Sequence, residues 1–127
     1  MQKKIIKTNK APLPIGPYNQ AVVAGHLLYA SGQIAIDLKT NAIIEGGVTE
    51  QTKLVLENVK AVLEEAGTSL KNVVKATVFL KNMNDFSLMN AIYTQYFDAA
   101  TAPARSTIEV ARLPKDALVE IEVVAAV

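Results

Sequence analysis

Two short runs near the end of the chain hold most of its chemical potential. In Arg105-Ser106-Thr107-Ile108-Glu109, strand alternation puts Arg105, Thr107 and Glu109 on one face and Ser106 and Ile108 on the other. In Val119-Glu120-Ile121-Glu122-Val123, two carboxylates share a face inside an otherwise apolar stretch. If the two strands pair as a hairpin, an arginine and one or two carboxylates meet on a sheet surface. A guanidinium presents parallel N–H donors that match a carboxylate, so such a meeting point suits a small organic acid with an acidic side chain nearby. The third residue is Asn90, which a helical wheel places beside Phe86 and Phe97, where a buried amide is costly unless its hydrogen bonds are made. Plainer roles exist for each. Cross-strand Arg–Glu pairs are ordinary and contribute about 0.2–1 kcal/mol. Glu120 and Glu122 could line a solvated face, and Asn90 could bond a loop carbonyl.

Composition excludes several alternatives. The 127 residues contain no Cys and one His, His26. That removes disulfides, thiolate nucleophiles, Cys-based metal sites and His-cluster zinc sites, and it leaves little room for a Ser–His–Asp triad. No phosphate-binding glycine loop, HExxH or GxSxG is present. The formal net charge is +1, so bulk charge directs the chain to neither nucleic acid nor an anionic membrane. Lys3, Lys4, Lys7 and Lys10 crowd the first ten residues without interleaved aromatics, which reads as a solvated edge rather than a nucleic-acid footprint. Only two of the thirteen basic residues are arginines, Arg105 and Arg112, which makes both worth explaining.

The elements that must position these residues are legible from periodicity. Residues 3–8 read as a short strand, Pro12 to Pro17 as a loop, and 19–24 with 27–36 as a hairpin turning at Gly25-His26. Residues 37–47 read as turn and loop. Val55, Leu56, Val59, Val62, Leu63 and Ala66 mark a helix with Thr49 as N-cap and Gly67 just past its end. Residues 73–81 form a strand with Val74, Ala76, Val78 and Leu80 on one face. A second helix opens at Asn84 as cap, with Met83 and Leu88 spaced as a hydrophobic staple and Phe86, Met89, Tyr93, Tyr96 and Phe97 as its apolar stripe. Strands at about 105–111 and 117–126 follow, joined by Leu113-Pro114-Lys115-Asp116.

That order, ββ(β)αβαββ, implies a single α+β domain over residues 1–127, with both helices on one face of the sheet. The other face also alternates apolar and polar residues and needs a cover, for which another copy of the chain is the simplest choice. Residues 11–36 carry no formal charge, but Pro12, Pro14, Gly16, Pro17 and Gly25 interrupt them, so they do not read as a membrane span. Nor do they follow the basic opening as a secretory signal would. The expectation is a cytoplasmic protein.

Several motifs together are similar to the RidA (YjgF) family over nearly the whole chain. They are Ile15-Gly16-Pro17-Tyr18, Ala30-Ser31-Gly32-Gln33-Ile34, Lys75-Ala76-Thr77-Val78-Phe79, and Asn84-Asp85-Phe86 with Asn90 and Tyr93. Pro103-Ala104-Arg105-Ser106, Glu109-Val110-Ala111-Arg112-Leu113-Pro114 and Val119-Glu120-Ile121-Glu122 complete the set. The resemblance implies a chorismate-mutase-like fold with about six strands. It implies a homotrimer whose sheets form a central barrel, with clefts between subunits. The implied activity is hydrolysis of 2-imino acids such as 2-iminobutanoate and 2-iminopropanoate, and of their enamine tautomers, to 2-oxo acids and ammonia. No cofactor and no metal are implied. Arg105 would hold the substrate carboxylate and Glu120 would handle the water. Tyr18, Ser31, Asn90 and backbone groups near Gly32 and Thr107 would line the cleft. Many relatives carry Cys where this chain has Thr107, which excludes thiol chemistry there. The competing class is a ligand-binding regulatory or chaperone-like protein of the same fold, which would keep the Arg105 pocket without using Glu120.

Overall fold

The computed structural model describes residues 2–127. Its elements are β1 (Lys3–Ile6), β2 (Ala21–Ala24), β3 (Leu27–Ala30), the short β4 (Ile36–Asp37) and β5 (Ala42–Ile43), α1 (Val48–Glu65), β6 (Val73–Leu80), α2 (Phe86–Tyr96), β7 (Ala104–Glu109) and β8 (Val119–Ala126). Six strands make one mixed sheet in the order β1-β2-β3-β8-β6-β7. Only β6 and β7 run parallel, joined through α2; the other neighbours are antiparallel. β4 and β5 pair separately: the strand expected over 27–36 ends at Ala30, its last expected residue Ile36 pairs with Ile43, and Asp37, Ala42 and Ile43 lie in the stretch expected as turn and loop.

Apolar periodicity decides what is buried. Val55, Leu56, Val59, Val62 and Leu63 of α1 are almost fully buried, and Met89, Tyr93 and Phe97 on or just after α2 join them. These side chains cover one face of the sheet, where Ala76, Val78 and Leu80 of β6 meet Val119, Ile121, Val123 and Ala125 of β8. The opposite face carries Ile5, Val22, Tyr29 and Val124, which follow one another across β1, β2, β3 and β8. Beside them lie Phe79 and Ile108, paired on β6 and β7. Ile5, Tyr29 and Ile108 are exposed there. No helix of the described residues is long and apolar enough to cross a membrane.

The hairpin of β7 with β8 does not form. β8 lies between β3 and β6, while β7 is the edge strand beyond β6. The composition of the two strands explains the exchange. β8 buries every second side chain under α1 and so belongs in the middle of the sheet. β7 buries none of its residues fully and suits an edge. The parallel β6–α2–β7 crossover takes the place that a hairpin would have used.

Smaller differences have local causes. α1 starts at Val48 with Gly47 in the cap position, and Glu50 Oε1 accepts the Gly47 N–H at 2.7 Å, so Thr49 is inside the helix rather than its cap. Val74 is exposed because a register shift between Val73 and Lys75 turns Val73 inward instead. Before α2 comes a 3-10 turn at Met83–Asp85, and Asn82, not Asn84, caps it by accepting the Asn84 N–H at 2.9 Å. Met83 and Leu88 are both exposed and form no staple. Gly67 does end α1 in a left-handed conformation, φ +81°.

Candidate functional site

Arg105 stands opposite Ala76, a fully buried residue of the helix-covered face. Its side chain therefore runs under α2 instead of into solvent. There its Nη1 donates to Asn90 Oδ1 at 2.8 Å. The guanidinium carbon lies 4.5 Å from the Tyr93 ring centroid and 5.5 Å from that of Phe86. Cation–π attraction at such distances contributes about 0.5–2 kcal/mol, and two rings fix the plane of the fork. Among the described residues no carboxylate pairs with Arg105; the one ion pair found joins Arg112 to Asp116. Thr107, two residues along, is half-buried on the same face.

The helix that supplies Asn90, Phe86 and Tyr93 is pinned to the strand that supplies Arg105. Glu109 Oε1 accepts the Met83 N–H at 2.8 Å, just ahead of α2. Tyr93 is 5% exposed, and its Oη is buried without a hydrogen-bond partner. Burial raises the Tyr93 pKa above its ordinary value, and the adjacent Arg105 opposes that rise.

Glu120 is elsewhere. It stands opposite Phe79, on the face that the helices leave open. Its carboxylate reaches a pocket of about 400 Å³ shared with Tyr18, Ser31, Gly32, Ile34 and Lys115. Burial raises its pKa above the usual carboxylate value, and Glu122 on the same strand raises it further. Tyr18 Oη accepts the Ile15 N–H at 3.3 Å, so its own proton stays free to donate. Ser31 Oγ donates to the Asn19 carbonyl at 2.6 Å, so towards a ligand it can only accept. The loop carrying Tyr18 is held by Gln20, which is 2% exposed. Gln20 accepts the Thr8 N–H at 2.7 Å and donates to the carbonyls of Thr8, Ala11 and Pro12 at 3.0, 3.2 and 2.9 Å.

The residues singled out from sequence thus form two groups. Arg105, Asn90 and Thr107 gather on the helix side. Tyr18, Ser31, Gly32 and Glu120 gather on the other. The expected meeting of Arg105 with Glu120 on one surface of one chain does not occur, because both strands alternate with β6 between them and the two side chains project oppositely. His26 is exposed in the β2–β3 turn and joins neither group. Sequence reasoning did not assign site roles to Phe86, Tyr93, Gln20 or Lys115. The spacing of Phe86, Asn90 and Tyr93 was the available signal for the first two, since three such residues on one helix face make a bed for a planar cation.

The model of the family described as Endoribonuclease L-PSP matches residues 8–127. The chain belongs to the RidA family. A RutC family protein of Synechocystis is 63% identical over 98% of this chain and 97% of its own length. A Salmonella typhimurium protein named 2-iminobutanoate/2-iminopropanoate deaminase is 51% identical over 96% of each chain. The crystal structure of Escherichia coli TdcF with bound serine superposes with a TM-score of 0.91 at 46% identity, covering 98% of each chain. This RidA-family chain therefore has the fold expected of it, a mixed six-stranded sheet with two helices on one face. Some RidA relatives carry a deaminase name, while the Synechocystis relative carries a family name alone.

Proposed function

We propose that the protein hydrolyses small 2-imino acids and their enamine tautomers to 2-oxo acids and ammonia, in clefts built between copies of the chain. The observation that carries this reading is the Arg105 guanidinium, half-buried, oriented by Asn90, Tyr93 and Phe86, and lacking an acidic partner among the described residues. A cation held in that way suits an anionic ligand with a planar carboxylate. The serine bound to TdcF and the deaminase name of the Salmonella relative favour a small amino-acid-like substrate.

A substrate of a few heavy atoms cannot touch Arg105 and Glu120 of one chain, since they project from opposite sheet faces. The apolar open face, with Ile5, Tyr29 and Ile108 exposed, supports a second copy as its cover. The homotrimer proposed from sequence would bring the β7 edge and Arg105 of one copy to the Glu120 pocket of the next.

Within such a cleft the chemistry is simple. Arg105 and the Asn90 amide hold the carboxylate. Glu120, with its raised pKa, takes a proton from water as the water oxygen bonds to the C=N carbon. The same proton passes to the substrate nitrogen. The carbon–nitrogen bond then breaks and ammonia leaves as Glu120, again a carboxylate, takes the remaining hydroxyl proton, so that the former water oxygen becomes the keto oxygen; Glu120 returns that proton to solvent. Tyr18 has a free hydroxyl proton with which to hydrogen-bond the added oxygen or the nitrogen. No cofactor takes part in these steps. Positioning and one proton carrier suffice because a protonated imine is already electrophilic.

The test is to generate 2-iminobutanoate with a threonine dehydratase and follow imine loss with and without the protein. Acceleration by wild type, lost in Arg105→Ala and Glu120→Ala, is the expected result. Ligand binding that depends on Arg105, with no acceleration of imine loss, would instead identify a ligand-binding regulator of the same fold.

A further inference from the structure

Gly32 does not need to be glycine for its backbone. The glycines with positive φ are Gly16, Gly25, Gly46 and Gly67, and Gly32 is not among them. Its missing side chain matters for another reason. A Cβ built on Gly32 would lie 2.8 Å from Cδ and 3.0 Å from Cγ of Glu120, and would overlap Oε2. The Glu120 carboxylate therefore occupies the space that any other residue at position 32 would fill. Among the described residues no hydrogen bond to that carboxylate is formed, and its raised pKa has only burial and Glu122 as causes.

From this geometry we infer that Gly32 is a positioning residue whose absent side chain seats the Glu120 carboxylate against the backbone of residues 31–33 at the floor of the pocket. The inference rests on the reading of Glu120 as the group that handles water, and it adds what places Glu120. With a methyl group at position 32, the flexible end of Glu120 must swing away while the backbone stays. The three atoms nearest such a Cβ all belong to the flexible end of Glu120, which can give way without moving backbone, so the fold is expected to survive the change. The charged and titratable groups facing Glu120 are Glu122 on its own strand and Tyr18 and Lys115, which line the same pocket. β6 presents uncharged Phe79 opposite Glu120 and Thr77 opposite Glu122, with Lys75 further along, bonded to Ser106 of β7 at 2.9 Å.

The experiment compares wild type with Gly32→Ala by two readouts. The first is a carbon-13 NMR titration of the Glu120 carboxyl, assigned with Glu120→Gln. Wild type is expected to titrate above the ordinary range, and Gly32→Ala to move back towards it. The second is imine hydrolysis. Gly32→Ala is expected to lose at least tenfold in kcat with KM within twofold, because Arg105 is untouched. The acid limb of its pH profile should move to lower pH. Glu120→Asp in the Gly32→Ala background, one methylene shorter, should recover part of kcat. A Glu120 titration that is the same in both proteins overturns the inference, as does an unchanged kcat. If the titration moves but wild type hydrolyses no imine, the seating of Glu120 stands and the deaminase reading falls. Thermal melts of both proteins identify any loss that comes from unfolding, in which case Gly32→Ser, judged by the same titration, replaces Gly32→Ala.

Discussion

Asn90 Oδ1 accepts a hydrogen bond from Arg105 Nη1 at 2.8 Å. A neutral amide thus sits where an acidic residue would have cancelled the charge. Replacing Asn90 by Asp supplies that missing carboxylate. An ion pair would then compete with any bound acid for the same fork, and KM should rise roughly tenfold or more with a much smaller change in kcat. Asn90→Ala removes the guide without adding a competitor and should raise KM less. Steady-state kinetics on both variants check the order.

The opposite projection of Arg105 and Glu120 makes a mixing experiment decisive. Arg105→Ala and Glu120→Ala chains, each inactive alone, are co-expressed or unfolded together and refolded. If each cleft takes its arginine from one copy and its carboxylate from the next, random assembly restores about one quarter of the clefts. Activity near that share is expected. Activity no greater than that of the separate variants would mean that both residues act within one chain.

Glu120 should weaken the fold when it is charged. Its pKa is raised in the folded chain, by burial first and Glu122 second. In acid, below the ordinary carboxyl pKa of about 4.3, folded and unfolded chains are both protonated and no penalty arises. As pH climbs through the unfolded and then the folded value, the unfolded chain gives up its proton first, and stability falls. Glu120→Gln avoids that loss. Its Tm should exceed that of wild type near neutral pH, and the difference should shrink as pH falls and vanish below the ordinary carboxyl pKa, by about pH 3. A higher Tm for the variant that persists unchanged into acid would show that charge is not the cause.

Gln20 is the peg of the loop that carries Tyr18. One side chain serves Thr8, Ala11 and Pro12 while almost wholly buried. Gln20→Ala leaves several buried backbone groups without partners and should cost about 2–4 kcal/mol, measured by denaturant unfolding. Limited proteolysis should cut faster within residues 9–19 of the variant, with the sheet core unaffected.

What the sequence disclosed, and what it hid, follows from which forces are local. Helix α1 and the inward residues of β6 and β8 were legible because burial imposes period 3.6 or 2 on them directly. The cap expected at Thr49 lies two residues earlier, where Gly47 receives Glu50, and the one expected at Asn84 gives way to a 3-10 turn capped by Asn82, so that α2 starts from Asp85. The placement of β8 between β3 and β6 is non-local and leaves no mark on spacing. For that reason the chain order suggested a hairpin, and with it a meeting of Arg105 and Glu120 that alternation alone could not refute. The role of Tyr93 was hidden in a different way: an aromatic that stacks on a cation and one that fills a core have the same helical phase. Gly32 read as a ligand-facing backbone position, while the close approach of Glu120 is visible only in three dimensions.

An unbalanced guanidinium under two aromatic rings attracts whatever small anions surround it. Phosphate, sulfate, acetate and citrate in a buffer are therefore expected to compete for the Arg105 guanidinium. Under the proposed deaminase reading, rates taken in such buffers should fall below those in non-competing buffers, and the choice of counter-ion becomes an experimental variable rather than a detail.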